Sequence, residues 1–567
     1  MRKEARVAAA QFAVGTHVPE NLAKSLHWAE EAGRLKANLV VMPEFVNHLC
    51  WYHDQDHCYH VAMSLEDAYF KDLEKIASRY DMYIVTNITL KNDDHTVTAT
   101  SLLIGASGIL GRSDKDVLIG HENDFLKPGS GEPCVVDTDI GRIGLYACME
   151  GVLFENPRLL GVKGADIICN SLNSFAFCEA QLHIPVRAAE NKVFVVAANK
   201  IGPLIPQSQL KQAAEAVSIP ERFLEGAGES QIVGPDGSVI KKATLTEEGL
   251  VYADIEPQLA RNKQRSGGSN LLEARRPELY TPLMGEKRPQ EPSQAKPLKV
   301  ALCQIDPNQQ DALSKAAGSV CQALSRQSDL IVLPELFFLE DGAGKEEALL
   351  KSKKALDTMV LTMSGVKKGL LAASFLTESS GNLHHEALLI DGSGICHRQE
   401  QLHLAKHTDF SVSSGDSLQL FDSPFGKIAL LTGEDVVFPE IFRVAALNGA
   451  ELFVCPFSIR ESWESRLGLI ERSAENRVPL VACTRPSDIG HSVVCNLTED
   501  FTIMTPWPHR AFDGYISHPI VTRVPKGQSV FYGEVNPERG ANKTLSHKTH
   551  LLDSRPSKLL RPLCETL

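Results

Sequence analysis

Cys148, Glu44 and Lys115 are the three side chains whose types and settings could together break a bond. Cys148 closes the apolar run GRIGLYAC (141–148) and precedes a predicted helix start. A sulfur there sits at a strand-to-helix turn, where helix N-terminal amides favour thiolate over thiol. Glu44 follows Pro43 at the end of the strand-like run LVVM (39–42), at the same edge of a sheet, where a carboxylate could act as general base. Lys115 lies within SDKDVLIGHENDFLKPG (113–129), between two strand-rich regions. An ammonium beside the nucleophile would depress its pKa and stabilise a developing oxyanion. Taken singly, the three read as a core cysteine, a loop start and a solvated lysine. Their joint pattern, in one order and repeated with defects, is what points to chemistry.

The elements that must position them occur twice. RVAAAQF (6–12) matches KVALCQI (299–305), and NLVVMPEF (38–45) matches DLIVLPEL (329–336). VRAAENKVFVVAANK (186–200) matches ERSAENRVPLVACTR (471–485), and NLLEARRPELYTPL (270–283) matches HLLDSRPSKLLRPL (550–563). The order is collinear, so a whole domain has been duplicated. The polar, Pro-rich stretch GEKRPQEPSQAKP reads as the connector, giving a catalytic domain 1–284, a linker 285–297 and a second domain 298–567. Within each half, short β-branched runs such as YIVTNI (83–88) and VFVVAA (193–198) alternate with amphipathic stretches such as 19–35, where Leu22, Leu26, Ala29 and Ala32 share a face. Strands buried on both faces and separated by helices predict a layered α/β fold.

Bulk properties exclude several classes. The 567 residues are 43% hydrophobic and 23% charged, with a net charge of −13 and interspersed signs, an unfavourable balance for nucleic acid or an anionic membrane. No run reaches a membrane span of ~18 apolar residues. MRKEARVAAAQF enters a strand-like pattern at once, leaving no room for a signal peptide. Thirteen scattered cysteines with no CxxC pair predict free thiols in a reduced, cytoplasmic protein.

On these motifs the chain resembles a tandem member of the nitrilase superfamily of carbon–nitrogen hydrolases. VMPEF matches the family's catalytic glutamate motif. The stretch 113–129 keeps Lys115, Glu122, Phe125, Pro128 and Gly129 of the lysine motif, with Asp114 and Val117 in place of its Arg and His. CMEGVLFE matches the nucleophile motif through Cys148, Glu150 and Glu155, and RAAENKVFVVAAN and RRPELYTPL match two later motifs. The resemblance implies two four-layer αββα sandwich domains. It further implies that Glu44 takes the proton of Cys148, whose sulfur attacks an amide or nitrile carbon. Lys115 and the Met149 backbone N–H would hold the oxyanion, Glu122 would orient substrate or water, and water would hydrolyse the thioester. No metal or organic cofactor is implied.

In the second half Gly433 replaces the cysteine, and Glu335 still matches Glu44. The lysine position falls on Glu400 or Gln401, depending on a one-residue gap, and the Glu122 position falls near His407. Thioester chemistry is therefore not expected there. The expected role of this half is a partner surface within the same chain, an intramolecular pairing of the two halves, with further homo-oligomerisation left open. Val152 stands where related carbamoylases carry an arginine that grips a substrate carboxylate, and CMEG differs from the CWEN of true nitrilases. The expected substrate is a small amide or uncharged N-carbamoyl compound, attacked with water. Nitrile hydrolysis, acyl transfer on the same scaffold and a non-catalytic binding protein are the alternatives. The His- and Cys-rich segment CWYHDQDHCYH (50–60) invites a metal reading but is read as a pocket lip or a surface loop, and His384–His385 as an exposed turn.

Overall fold

The computed structural model describes residues 2–285, 295–379, 381–404 and 411–566. Most of the expected linker (286–294) and the expected Glu122 counterpart near His407 lie outside the described residues.

The first half folds into two six-stranded sheets. One runs Gly249–Ile255, Ala5–Gln11, Leu39–Val41, Tyr83–Lys91, Val97–Gly105, Gly108–Asp114; the other runs Val239–Lys242, Gln231–Val233, Phe194–Ala198, Ile167–Ser171, Gly141–Ala147, Val135–Thr138. The central pairs are parallel and the outer ones antiparallel. Period-two alternation sorts the side chains into layers. Val7 and Ala9 meet Ile143, Leu145 and Val196 between the sheets, while Ala8 and Ala10 meet Ala29, Ala32 and Leu73 of the covering helices Val18–Arg34 and Ala68–Tyr80. Helices Glu155–Val162 and Ile184–Asn191 cover the other sheet through Leu160, Ile184 and Ala188. This is the expected αββα sandwich. The second half repeats it strand for strand, as Val530–Val535, Leu298–Cys303, Leu330–Val332, Leu370–Ser379, Asn382–Asp391, Gly394–Glu400 and a second six-stranded sheet from Leu420–Ser423 to Ile520–Val524. The histidine pair 384–385 lies in the strand Asn382–Asp391, not in an exposed turn. His385 is buried because its strand is interior to the sheet.

Packing divides the chain differently from the repeat. One compact unit comprises Met1–Lys263, Asp500–Ser517 and Thr544–Leu567; the other comprises Gln264–Glu499 and His518–Lys543. The ends of both repeats have been exchanged. In the first unit Phe501, Phe512, Ile516, Leu545 and Leu551 join Met149, Val152 and Leu210 in one apolar cluster. Thr549 Oγ1 there accepts hydrogen bonds from the Gly120 N–H (3.0 Å) and Asn123 Nδ2 (3.3 Å). In the second unit Arg275 Nε donates to Glu440 (3.1 Å), and the Tyr280 hydroxyl lies 2.7 Å from His403 Nε2. No helix among the described residues is long and apolar enough to cross a membrane.

Thr549→Val keeps the shape and removes the acceptor of a buried N–H, which costs about 1–3 kcal/mol. The expected result is faster hydrogen exchange at the Gly120 amide and a lower urea midpoint for the first unit. Unchanged exchange would show that this bond does not hold the segment.

Candidate active site

Glu44, Lys115, Glu122 and Cys148 are brought together at the carboxyl ends of the parallel strands, where open α/β sheets leave room for ligands. The chain leaves Leu39–Val41 and turns through Pro43, and the turn is pinned by Ser171 Oγ donating to Met42 O (2.8 Å) and by the Glu44 N–H donating to Leu172 O (3.1 Å). Lys115 follows the strand Gly108–Asp114 and is held by N–H donation to Ala99 O and by receipt of the Gly129 N–H, both 2.8 Å. Its Nζ is fully buried and donates to Glu44 Oε1 (2.8 Å) and Glu122 Oε1 (2.9 Å). Cys148 leaves the strand Gly141–Ala147 with φ +50° and ψ −109°, a conformation costing about 1–3 kcal/mol in a non-glycine residue. Its N–H donates to Asn170 Oδ1 (3.0 Å), and Glu150 accepts from the Ala147 N–H (2.7 Å) and the Asp116 N–H (3.0 Å). One buried carboxylate thereby ties the nucleophile strand to the lysine loop. Met149 opens the short helix Met149–Val152.

The electrostatics differ from expectation at the thiol. Burial, reinforced by the Glu44 charge, pushes Cys148 well above the ordinary cysteine range, and Lys115 only partly opposes this. Desolvation outweighs the lysine and the helix N-terminus because Lys115 is already spent on two carboxylates. Cys148 is therefore held in its thiol form. Burial likewise raises Glu44, to about 7, with Lys115 opposing and the Glu122 charge adding to the rise. Its Oε2 is buried and has no hydrogen-bond partner, so it is placed to take a proton. Burial works against the Lys115 charge, but Glu122 and Glu44 prevail and hold its pKa well above the usual lysine range.

Among curated and structural relatives the comparison is direct. The family model for carbon-nitrogen hydrolases matches residues 6–265 and again 299–507. The chain belongs to the carbon-nitrogen hydrolase family. It is 28% identical over 262 residues to a nitrilase of Pyrococcus abyssi, spanning 46% of this chain and 93% of that protein. It is 24% identical over 300 residues to the N-carbamoylputrescine amidase of Arabidopsis thaliana, spanning 50% of this chain and 96% of that protein. Among solved structures, an amidase from Nesterenkonia sp. is similar at 22% identity and a TM-score of 0.39, covering 47% of this chain and 95% of that one.

In this carbon-nitrogen hydrolase a cavity of about 440 Å³ opens over Cys148 and Glu122. Trp51, Met149, Val152 and Phe175 wall it together with Met504 and Leu545 from the exchanged segments. None of its described lining residues is Lys or Arg; His121, His183 and His547 are its basic side chains. Cys50 and Trp51 of the 50–60 segment reach this wall, and the rest of that segment forms the helix Gln55–Val61, capped by Asp54 accepting from the His57 N–H (2.7 Å).

Sequence reasoning missed Lys200 and the exchanged segments. Lys200 Nζ is fully buried without a hydrogen-bond partner, and it shares the Phe45 ring with Lys115 (5.6 and 5.8 Å to the centroid). Burial lowers its pKa to about 8 against the pull of Glu44, Cys50 and Cys148. A signal existed: the matched repeats end on Lys200 and Arg485, a cation both times.

The second copy resolves the gap at the lysine position. The Gln401 N–H donates to His385 O and Gln401 O accepts from the Gly415 N–H, the same frame that holds Lys115. Gln401 is therefore the lysine's counterpart, not Glu400. Gly433 keeps the positive φ of Cys148 at +58°, and a Cβ added there would lie 2.5 Å from Gln401 Nε2. The amide has settled into the space of the lost side chain. Arg265 pairs with Glu434 and Glu464 beside it.

Lys200→Met is expected to fold and to be more stable than wild type at pH 7 by about 1–3 kcal/mol. The lysine's folded pKa of about 8 lies below its ordinary 10.5, so burying its charge costs full stability below pH 8. The advantage of the Met variant should shrink as pH rises from 8 to 10.5. Urea unfolding of both proteins across that range checks it, and a pH-independent difference would contradict it.

Proposed function

We propose that the first unit hydrolyses linear amides or N-carbamoyl compounds whose acyl group is uncharged and largely apolar, through a thioester on Cys148. The observation that carries this reading is a buried Glu44–Lys115–Glu122 cluster behind a strained cysteine, in a cavity without Lys or Arg on its described wall. Glu44 takes the thiol proton as the sulfur adds to the carbonyl carbon. The oxyanion forms beside the Lys115 ammonium and the Met149 N–H, whose charge and dipole are fixed beforehand. As the intermediate collapses the carbon–nitrogen bond breaks, and the proton on Glu44 passes to the departing nitrogen. Water then gives its proton to Glu44 and attacks the thioester, returning the thiol and an acid. Glu122, fixed by Lys115 and the Ile119 N–H (3.1 Å), orients substrate or water.

The substrate class follows from what the wall lacks. A substrate carboxylate entering beside Val152 would lose hydration without a lysine or arginine to receive it. The second copy supplies Asp500–Ser517 and Thr544–Leu567 to the first unit, and we assign it that supporting role rather than a second hydrolytic one. All thirteen cysteines are unpaired, which supports a reducing, cytoplasmic setting.

Ammonia release from a panel of apolar amides, N-carbamoyl compounds, their carboxylate-bearing analogues and nitriles tests the reading. Turnover is expected for the uncharged amides or carbamoyl compounds and should fall on the order of 10³-fold or more in Cys148→Ala. Undiminished turnover in that variant removes the mechanism. Acyl products with added amines, in place of acid, would identify a transferase.

The pH profile is a separate check. Glu44 must be ionised to accept the proton, so kcat/KM should rise tenfold per pH unit below about 7 and level above it. In Lys200→Met this limb should move to higher pH, because the lysine charge pulls the Glu44 pKa down. A flat profile from pH 5 to 8 would exclude Glu44 as the base.

A further inference from the structure

The disarmed unit contains a cavity of its own, about 400 Å³, where Glu335 and His385 meet Leu336, Leu376, Val412 and Ile459. Glu335 has outlived the thiol it would have served. It is 6% exposed, and its Oε2 is buried without a hydrogen-bond partner. A carboxylate oxygen kept dry and unmatched is costly unless something fills the role of donor.

His385 shows the same deficit. Its Nδ1 lies 2.6 Å from Gln401 Oε1, while Gln401 Nε2 donates to His403 O (2.7 Å). That second bond fixes the amide with its oxygen toward the histidine, so Nδ1 carries a proton, and in the Nδ1–H tautomer Nε2 is the ring's acceptor. Nε2 is buried and also has no partner. The Glu335 carboxylate lies alongside, with Oε1 3.9 Å from His385 Nδ1.

The cations of the wall are turned elsewhere. Arg485 donates to the carbonyls of Glu335, Leu336 and Leu339 and to Asp341; Arg460 donates to Gly267 O and pairs with Glu434. The unmet groups are thus two acceptors, one of them charged, beside an apolar wall. Both arginines of the described wall are engaged in this way. A metal ion would find too few ligands: no cluster of three or more His, Cys, Asp or Glu suited to a metal occurs among the described residues. A group with several N–H donors, a positive charge and a short hydrocarbon tail satisfies every deficit at once.

We propose that the second unit binds a small primary alkylammonium ion, its N–H groups on Glu335 Oε2 and His385 Nε2 and its chain against Leu336, Leu376 and Ile459. The substitution of Lys115 by Gln401 is what opens the site to it. In the first unit the equivalent carboxylate, Glu44, is already paired with Lys115, whereas Gln401 engages His385 instead.

The test is isothermal titration of the full chain with n-butylammonium, butan-1-ol and butyltrimethylammonium, in wild type, Glu335→Gln, His385→Phe and Glu44→Gln. One saturable site for butylammonium is expected, weakened at least tenfold in Glu335→Gln and in His385→Phe and unchanged in Glu44→Gln. Butan-1-ol, lacking charge, and butyltrimethylammonium, lacking N–H, should bind at least tenfold more weakly to wild type. Binding lost in Glu44→Gln and kept in Glu335→Gln would move the site to the first unit and overturn the proposal. Equal binding of butan-1-ol, or no saturable butylammonium site, would also overturn it. Circular dichroism melting identifies any variant that fails to fold, and the three-ligand series on wild type then decides.

Discussion

The first unit is organised around an ammonium with two claims on it. Lys115 is buried between the carboxyl groups of Glu44 and Glu122, and Lys200, itself without a hydrogen-bond partner, shares the Phe45 ring with it. Removing one partner from such a cluster leaves a buried charge uncompensated and costs about 3–5 kcal/mol. The arrangement therefore persists only because the surrounding backbone holds it, through the Ala99, Gly129 and Ile119 contacts. Its chemical return is a carboxylate whose affinity for a proton sits near neutrality. A carboxyl group poised there gains and loses a proton within the neutral range.

The second unit shows how the same frame relaxes when the ammonium goes. Gln401 occupies the lysine's backbone position but carries no charge, so Glu335 has no ammonium to pair with there. Glycine at 433 relieves the strained turn that Cys148 must hold, and the amide of Gln401 fills the space. The strand frame, Asp435 accepting the Leu402 and His403 N–H groups as Glu150 does for Asp116, is kept. The backbone machinery for presenting a nucleophile has outlasted the nucleophile.

Much of this was legible in the chain because it is local. Glu44, Lys115 and Cys148 each follow a strand and Glu122 opens the short helix Glu122–Phe125, and strand ends are set by period-two burial and by Pro and Gly. The repeat made the defects at Gly433 and Gln401 visible, though only the hydrogen-bond register chose between Gln401 and its neighbour. What could not be read was non-local. Burial of the thiol depends on Leu160, Leu172, Ile184 and Val233, brought in from other elements, so its raised pKa ran against the expectation from the helix and the lysine. His384–His385 looked like a turn because paired histidines are polar; sheet order put His385 inside. Lys200 was hidden in a motif whose other residues are structural. The exchange of the terminal segments leaves no periodicity, since each segment matches its repeat whichever unit it packs in.

That exchange has a temporal side. Ile503, Met504, Leu545 and Ser546 wall the cavity that opens over Cys148. On the ribosome, Cys148 and Glu44 emerge several hundred residues before this part of the wall is synthesised. That part of the enclosure follows only when Leu545 and Ser546 have been made, so a buried thiol waits on the downstream copy for some of the side chains that cover it.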